Sequence, residues 1–491
     1  MSHAHAQGRR AAGANTSFFK VTRHTRARTP SVSQNRQHAM RAVRSRQRYG
    51  EIVGSRRKQD AKVDPILPVM ITMERATHLV PIEAPIADAA RLGYVVIIEP
   101  NFTGHRWRYV EWIAQTCLEA GYPCLVVTEN SNEDHRLARE IMAANREDLQ
   151  IAFVDAESQR PSRGLRRVSY ARFHAYFKLA YDSVKRVERV RLVVVPYVDY
   201  FFHALPLLGT PFGRAPWIAI TMRATFHHRK VGVRTPGRPL VNMLKSLLFR
   251  RAVHTKGLRT LLSIDPTLAE WVGRAKPKHG AKVEYVADPF PDAKAEDPLV
   301  ARERLGLDPD GRYLLVYGSI SERKGVCELT EALAGMTDAP TLLLAGEQDP
   351  DIRGFMRAFI PILKPAPVIL DRFISNEMER DLFSACDVVW LGYKGHYGMS
   401  GVLVQAYRFD KPVVATSEGL IGWFSRGGQL GPCLDDLSAQ SIKRALDDIA
   451  AKWRSGEPHR RPLDHLLARN TLGQFKETLR QAITEAVATR A

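Results

Sequence analysis

The chain has 491 residues with 72 Lys+Arg against 52 Asp+Glu, a formal net charge of +20. Its hydrophobic fraction of 45% and charged fraction of 25% are those of a globular protein, which excludes a wholly disordered chain, a collagen and a coiled-coil rod. No apolar stretch has the roughly 18 uninterrupted residues that a membrane span needs. The five cysteines are never spaced as CxxC, which argues against a disulfide scaffold or zinc ribbon and favours a reducing compartment.

The first 60 residues hold much of the positive charge. They contain fourteen Lys or Arg against Glu51 and Asp60, so this segment carries +12 of the +20. It lacks the apolar periodicity of a core-forming element, and we interpret residues 1–90 as a basic, disordered extension. An arm for nucleic acid or an anionic membrane, and an Arg-rich transit peptide, remain alternatives. Nucleic acid is disfavoured as the main partner because it would leave the rest of the chain unexplained. Whether residues 1–70 belong to the mature protein stays open.

Buried strands alternate with helices from Tyr94 onward. The first strand is predicted at 94–98 and is followed by a helix at 107–120. Further strands of this series are predicted at 124–128, 151–154, 192–195, 217–221, 261–264 and 283–286. Continuous Val, Ile and Leu runs separated by helices are typical of a parallel sheet covered on both faces. The sequence therefore predicts an α/β fold with a doubly wound, Rossmann-like domain at 91–287.

The series stops at 288–300, which has no strand or helix periodicity and is predicted to be a linker. It then restarts. Strands are predicted at 313–317, 341–345, 367–371, 388–391 and 412–416, and helices at 326–333, 376–385, 401–409 and 438–450. This predicts a second Rossmann-like domain at 301–462, followed by a C-terminal helix within 463–491. Ligands of such sheets bind outside the carboxyl ends of the strands, so the default site is the cleft between the domains.

The segment 317–325, YGSISERKG, joins a predicted strand to a predicted helix. Gly318, followed by Ser319, permits close approach of the backbone to a ligand. Arg323 and Lys324 place two positive charges at the start of the helix, where free N–H groups already favour anions. The segment is not a P-loop, because GxxxxGK[ST] is absent. It could neutralise a diphosphate, and the alternative is a solvated turn with surface charges.

A second loop, 392–401 (GYKGHYGMSG), has four glycines spaced three apart between a strand and a helix. Its backbone amides could approach a ligand. Ser400 is expected to cap the following helix, and Gln405 lies about one turn into that helix. The alternative is a flexible connection.

Two loops of the first domain supply further candidates. Gly104 and His105 follow the first strand and face the presumed cleft. Arg223 belongs to a basic loop after the strand at 217–221, which could contact an acidic or phosphorylated ligand; a solvated basic loop is the alternative. The pair His227-His228 does not have metal-ligand spacing on a regular element, so no metal is predicted.

An amphipathic helix is predicted near residue 244. Its apolar residues recur at helical spacing: Leu240, Met243, Leu244, Leu247 and Leu248. Packing on the core is the commoner explanation of such a face, and contact with a membrane surface is the alternative.

The loops at 104, 318 and 398 resemble those of GT-B glycosyltransferases, most closely the retaining family 4 type. The resemblance covers roughly Tyr94 to the C-terminus and implies two Rossmann-like domains facing across a cleft. It implies that the first domain holds the acceptor, through Gly104, His105 and Arg223. It implies that the second domain binds a nucleotide-diphosphate sugar. The donor-binding residues implied are Gly318, Ser319, Arg323, Lys324, Phe373, Ile374, Tyr397, Gly398, Met399, Ser400, Gly401 and Gln405.

The sequence departs from that family at one point. The family has two glutamates separated by seven residues, and the matching positions here are Tyr397 and Gln405. By resemblance, the first approaches the transferred sugar and the second hydrogen-bonds the nucleotide ribose. Gln405 can still hydrogen-bond a hydroxyl, whereas Tyr397 carries no negative charge near neutral pH.

The resemblance implies a metal-independent, hexosyltransferase-like glycosyltransferase in which His105, Arg323 and Lys324 are catalytic. It would transfer the sugar, with retention of the anomeric configuration, to a glycan, a lipid-linked molecule or a small molecule. It would need no cofactor besides the nucleotide sugar. We expect a cytoplasmic protein, with peripheral contact at the inner membrane face as a further expectation. The alternative is a GT-B-like nucleotide-sugar-binding or scaffold protein whose catalysis is impaired.

Overall fold

The computed structural model describes residues 93–104, 106–155, 169–186, 188–274, 280–290, 293–456 and 459–488. The chain divides into two units, Met1–Val80 and Pro81–Ala491, and every described residue belongs to the second. The predicted extension at 1–90 and the predicted catalytic residue His105 both lie outside the described residues.

The first domain is built on a sheet of parallel strands. In chain order they are β1 (Tyr94–Ile98), β2 (Cys124–Glu129), β3 (Leu149–Val154), β4 (Val190–Val195), β5 (Trp217–Thr221), β6 (Leu258–Ser263) and β7 (Lys282–Tyr285). Their spatial order is β3-β2-β1-β4-β5-β6-β7, so the direction of winding reverses between β1 and β4. The helices are α1 (Arg106–Glu119), α2 (Arg136–Ala144), α3 (Ser169–Val184), α4 (Leu205–Leu208), α5 (Pro239–Ala252) and α6 (Pro266–Arg274).

The second domain repeats the plan with six parallel strands in the order β10-β9-β8-β11-β12-β13. They are β8 (Tyr313–Tyr317), β9 (Thr341–Ala345), β10 (Val368–Leu370), β11 (Val388–Leu391), β12 (Val413–Thr416) and β13 (Cys433–Leu434). The helices are α7 (Pro298–Leu305), α8 (Val326–Ala334), α9 (Pro350–Phe359), α10 (Asn376–Ala385), α11 (Gly401–Arg408), α12 (Gly419–Phe424) and α13 (Ala439–Ser455). The predicted pair of doubly wound domains is confirmed.

The central strands, such as β1 and β8, are apolar along their whole length because the sheets are covered on both faces, whereas the edge strand β7 contains Lys282 and Glu284. In β1, Val95 and Ile97 pack into one core cluster, whereas Val96 and Ile98 pack into another that extends into the second domain. The alternation of side chains across the sheet thus joins each strand to two cores.

Two segments connect the domains. Helix α7 begins at Pro298, within the segment predicted as a linker, and the Asp297 carboxylate caps it by accepting from the Leu299 amide at 2.8 Å. The last helix, α14 (Leu472–Ala488), lies within the predicted C-terminal helical segment but packs on the first domain. Its Phe475 is fully buried, with ring centroids 5.7 Å from Tyr109 and 6.1 Å from Trp112.

Helix α5 corrects one expectation. Its predicted apolar face does not pack on the core: Leu240, Met243, Leu244 and Leu247 are exposed, and Leu248 is half-buried. The buried face consists of Ser246, Phe249 and Ala252 instead. Among the described residues, no helix is both long and apolar enough to cross a bilayer.

Candidate active site

The loops after the strands meet where the carboxyl ends of the two sheets approach each other, and we call this junction the cleft. Gly398 follows β11 and Met222 follows β5. A Cβ atom added to Gly398 would lie 4.0 Å from the Met222 carbonyl oxygen. Met399 packs against the core of the first domain. The Gly419 amide donates to the Arg234 carbonyl across the same junction at 2.8 Å. The loops that the sequence predicted as a site therefore come from both domains into one place.

The loop after β8 holds one of its two cations in a fixed position. Lys324 is buried, and its Nζ donates to the Tyr317 carbonyl at 2.6 Å and to the Tyr393 hydroxyl at 2.8 Å. A Cβ atom on Gly318, whose φ is +95°, would lie 3.4 Å from that Nζ, so glycine leaves the ammonium open on this side. Arg323 and Ser319 are exposed. The predicted cation pair is thus split into a buried lysine and an exposed arginine.

The local fold explains why Lys324 turns inward. Residues Glu322–Lys324 form a 3-10 turn that ends at Gly325 in the left-handed region, with φ of +67°. The Lys324 carbonyl accepts from Trp390 Nε1 at 2.7 Å, and the Arg323 carbonyl accepts from the Lys394 amide at 2.8 Å. The loop after β8 is therefore tied to β11 and to the glycine-rich loop that follows it.

The glycine-rich loop places His396 among positive charges. Its Nε2 lies 3.1 Å from the Met399 carbonyl. Burial lowers the pKa of His396, and the positive charges of Arg323, Lys324 and Arg223 lower it further. Arg223 belongs to the first domain and follows Met222, whose carbonyl oxygen lies next to Gly398 of this loop, so both domains contribute cations near the cleft.

The end of that loop differs from one expectation. Ser400 is buried but its side chain makes no capping hydrogen bond to α11, so the predicted cap is wrong. Tyr397 is half-buried, and its carbonyl accepts from the Leu420 amide at 3.2 Å. Gly398 lies between Tyr397 and Ser400, and Gly401 is the first residue of α11.

Gln405 is hydrogen-bonded to a carboxylate, Glu379, that the sequence did not indicate. Its Nε2 donates to Glu379 Oε1 at 2.5 Å, and the Tyr317 hydroxyl donates to Glu379 Oε2 at 2.8 Å. Gln405 Oε1 is buried without a hydrogen-bond partner. Glu379 lies in the first turn of α10, a different helix. A negative charge is therefore present beside the position where the family pattern has its second glutamate.

Phe373 and Ile374 follow β10 at the same edge of the second sheet. Phe373 is 79% exposed, whereas Ile374 is buried. Only the phenylalanine side chain is thus free to contact a ligand.

In the first domain, Asp199 positions the loop that carries Arg223. Its carboxylate accepts from the Thr221 hydroxyl at 2.8 Å and from the amides of Met222 and Arg223 at 2.7 and 3.3 Å. Burial raises the pKa of Asp199 despite these hydrogen bonds. Gly104 is exposed with φ of +67° at the end of the loop after β1.

Glu99 is a second acidic residue that sequence analysis missed. It follows β1 directly, is fully buried, and accepts from the Tyr200 hydroxyl at 2.9 Å and from the Asn101 amide at 3.2 Å. Burial raises the pKa of Glu99 to about 8, although these hydrogen bonds and Arg106 lower it. The available signal was its position: a carboxyl group at the carboxyl end of a buried parallel strand.

The pair His227-His228 belongs to a buried cluster with Asp265. Asp265 Oδ2 lies 3.2 Å from His227 Nε2 and 2.8 Å from His228 Nε2. The three residues could hold a metal ion, since their ligand atoms lie within 4.8 Å of one another. Burial opposes ionisation of Asp265, but hydrogen bonds from both histidines lower its pKa below the ordinary value. Asp265 also accepts from the Thr267 amide at 2.8 Å near the start of α6. Hydrogen bonding accounts for this geometry, and the absence of a metal stays a prediction.

A cavity of about 900 Å³ lies away from these residues. It is lined by Asp387, Pro412 and Pro432, which precede β11, β12 and β13. It therefore lies at the amino ends of these strands, whereas parallel sheets bind ligands at the carboxyl ends. We assign the functional site to the cleft and not to this cavity.

Comparison with known proteins agrees with this fold. No protein-family model matches the sequence. Sucrose-phosphate synthase from Thermosynechococcus elongatus superimposes with a TM-score of 0.52 at 16% identity, covering 80% of this chain and 96% of that structure. Anabaena HepE in complex with UDP-glucose gives a TM-score of 0.51 at 14% identity over 80% of this chain and all of that one. The lipopolysaccharide-biosynthesis glycosyltransferase WaaG gives 0.50 at 13% identity, covering 81% of this chain and 100% of that one.

Two curated relatives are similar in sequence. The lipopolysaccharide core biosynthesis glycosyltransferase LpsE of Rhizobium meliloti is 26% identical over 191 residues, 38% of this chain and 52% of LpsE. The putative teichuronic acid biosynthesis glycosyltransferase TuaC of Bacillus subtilis is 26% identical over 146 residues, 30% of this chain and 34% of TuaC. The chain thus spans about half the length of one relative and a third of the other.

The two facing sheets and the cleft define a two-domain α/β protein with the GT-B fold. The resemblance to GT-B glycosyltransferases that the sequence indicated is confirmed, and the family 4 type is consistent with it.

Proposed function

We propose that this protein is a glycosyltransferase that takes a sugar from a nucleoside-diphosphate donor. The observation that carries the proposal is the buried Lys324, whose Nζ is held by the Tyr317 carbonyl and the Tyr393 hydroxyl and lies beside Gly318. Arg323 and, from the first domain, Arg223 lie close enough to His396 to lower its pKa. Such a group of cations matches the charge of a diphosphate. The glycosyltransferase names of LpsE and TuaC, and the UDP-glucose bound to HepE, support this choice of donor.

The chemistry follows from where charge develops. When the bond between the sugar and the diphosphate breaks, negative charge grows on the departing diphosphate. Lys324 is already held by Tyr317 and Tyr393, so its ammonium needs little reorganisation to stabilise that charge. The cations of this chain carry that role, and we propose that neither a metal nor a cofactor takes part besides the nucleotide sugar. Closure of the domains would exclude water and limit donor hydrolysis.

The remaining assignments belong to the same proposal. Ser319, Phe373, Tyr397 and the 398–401 backbone would line the donor, and Gln405 would face the nucleotide ribose. Gly104, His105 and Arg223 would face a glycan, lipid-linked or small-molecule acceptor. Retention of configuration is implied by the resemblance alone.

The test is binding of UDP, GDP and ADP by calorimetry. We expect Arg323→Ala to lower the affinity for the nucleotide that the protein binds by about tenfold, because a charge-assisted contact is lost. The matched control is Arg454→Ala: Arg454 is also exposed but borders the amino end of β9 with Asp338 and Pro340. Equal affinities for the original protein and both variants would refute the assignment.

A second candidate is a nucleotide-sugar-binding protein with impaired catalysis. The observation in its favour is that Tyr397, at the first position of the glutamate pair, has a pKa raised above its ordinary value, first by burial and then by Glu418. Donor binding without transfer or hydrolysis, across a panel of donors and acceptors, would select this candidate.

We further propose that the protein acts in the cytoplasm and touches the inner membrane face through α5. Helix α5 exposes Leu240, Met243, Leu244 and Leu247, and α4, which contacts α5, exposes Leu207. Helix α5 also contains Lys245, Arg250 and Arg251 but no acidic residue. This combination suits an anionic bilayer.

Vesicle sedimentation tests the membrane contact. Leu240→Asp with Leu244→Asp should reduce binding to vesicles of phosphatidylglycerol and phosphatidylcholine about tenfold. The control Leu463→Asp changes an equally exposed leucine outside α5 and should have no effect. Equal sedimentation of both variants would place the contact elsewhere.

A further inference from the structure

The acceptor side of the cleft contains two arginines that share one aromatic ring. The Arg106 guanidinium carbon lies 5.2 Å from the Tyr197 ring centroid and 5.4 Å from that of Tyr200. The Arg223 guanidinium carbon lies 5.6 Å from the same Tyr197 ring. These residues follow β1, β4 and β5, so three neighbouring strands bring them to one edge of the sheet. We call Arg106, Tyr197 and Arg223 the arginine pair and its tyrosine.

Neither arginine has a carboxylate partner within ion-pair distance in the part of the chain that the structure describes. The buried carboxyl groups of Asp199 and Glu99 interact electrostatically with Arg223 and Arg106, respectively, but form no ion pair with them. Asp199 lies beneath the loop and accepts from the amides of Met222 and Arg223 and from the Thr221 hydroxyl. Glu99 has a pKa raised by burial to about 8, so it is mostly protonated at neutral pH and does not neutralise Arg106.

The surroundings of Arg106 add to the positive potential. Arg106 is the first residue of α1 and Arg108 the third, and the first turn of α1 contains no acidic residue. Cations at a helix N-terminus oppose the helix dipole, so this arrangement is unfavourable until an anion is present. Independently, Glu99 Oε2 is fully buried without a hydrogen-bond partner, and Arg106 lies close enough to lower the pKa of this side chain against the larger effect of burial. An orphaned buried oxygen near arginines that form no ion pair among the described residues marks an incomplete polar site.

We infer that the acceptor of this enzyme is anionic, and that the arginine pair holds its phosphate or carboxylate group. The inference rests on the proposed function, because it names the class of the second substrate. Arginine suits this role, since its planar guanidinium binds phosphate and carboxylate in two-pronged fashion. The Tyr197 ring would keep the two guanidinium groups apart and in place. Arg223 also lies close enough to His396 to lower its pKa, so the bound anion would face the donor site.

The experiment is calorimetry on the complex with UDP, using glucose 6-phosphate, glucuronate, glucose and inorganic phosphate as probes. We expect glucose 6-phosphate or glucuronate to bind at least about tenfold more tightly than glucose, and the better of the two identifies the anion. Arg106→Gln should remove this preference while leaving UDP affinity unchanged. The matched control is Arg191→Gln, whose guanidinium also lies over a tyrosine, Tyr122, but at the amino ends of the strands.

Every other outcome counts against the inference, and each one leads to a different conclusion about the site. If UDP binds but all sugars bind alike, the acceptor is not anionic and the proposed function stands. If inorganic phosphate binds as tightly as glucose 6-phosphate, the arginine pair binds anions without recognising a sugar. If Arg106→Gln lowers the affinity for UDP as much as the affinity for glucose 6-phosphate, Arg106 belongs to the donor site. If no nucleotide binds, the proposed function fails and the inference falls with it.

Discussion

The two sides of the cleft hold their cations differently. On the side of the second domain, Lys324 is buried and fixed by hydrogen bonds to the Tyr317 carbonyl and the Tyr393 hydroxyl. On the side of the first domain, Arg106 and Arg223 lie against the Tyr197 ring, and their nearest carboxyl groups are buried below them. A fixed cation suits a group common to all donors, the diphosphate. Arginines that lie against a ring and form no ion pair among the described residues would be available to the charged group of the inferred acceptor.

Lys324→Met gives the largest expected effect, because it removes the fixed cation. We expect turnover to fall by about 10²–10³-fold, as for loss of one preorganised donor at a developing negative charge. The control is Lys411→Met, since Lys411 Nζ also donates to a backbone carbonyl, that of Ser384, but lines the cavity at the amino end of the sheet. Steady-state kinetics on protein shown to be folded by thermal unfolding makes the comparison. A similar loss in both variants would mean that Lys324 matters only for folding.

Gln405→Glu tests whether Gln405 and Glu379 are coupled through their hydrogen bond between α11 and α10. The new carboxylate would lose the hydrogen bond to Glu379 and face a like charge, so the free energy of unfolding should fall by about 2–3 kcal/mol at neutral pH. The double variant Gln405→Glu with Glu379→Gln should recover most of that loss, because donor and acceptor are exchanged. Urea unfolding measures both. If the double variant loses as much free energy of unfolding as the two single variants lose together, the side chains are not coupled.

Glu99→Gln tests the buried carboxyl group that follows β1 in the first domain. In the original protein the folded-state pKa is raised to about 8, above the ordinary 4.5, so the folded state binds the extra proton between these values. Stability should therefore fall as pH rises from about 4.5 to 8 and then level off. In Glu99→Gln this fall should be absent, and the variant should gain roughly 2–4 kcal/mol relative to the original between pH 5 and 9. Parallel curves for the two proteins would contradict a raised pKa.

Sequence reasoning predicted the fold well because parallel strands covered on both faces are continuous apolar runs, as in 94–98 and 313–317. It placed the candidate loops at 318 and 398 directly after predicted strands, and the structure has strands β8 and β11 there. It could not find Glu379, which approaches Gln405 only after α10 and α11 are packed side by side. It also misjudged α5, because helical periodicity indicates an apolar face but not what covers it.

The central claim is that cations from both domains surround one anion site at His396, and the pKa of this imidazole measures it directly. Burial and the charges of Arg323, Lys324 and Arg223 lower that pKa in the free protein. NMR titration of His396 with and without bound UDP should show a higher pKa in the complex, because the diphosphate offsets the positive charges. Arg223→Gln alone should raise it by a smaller amount. A His396 pKa that stays the same when UDP is bound would contradict the account.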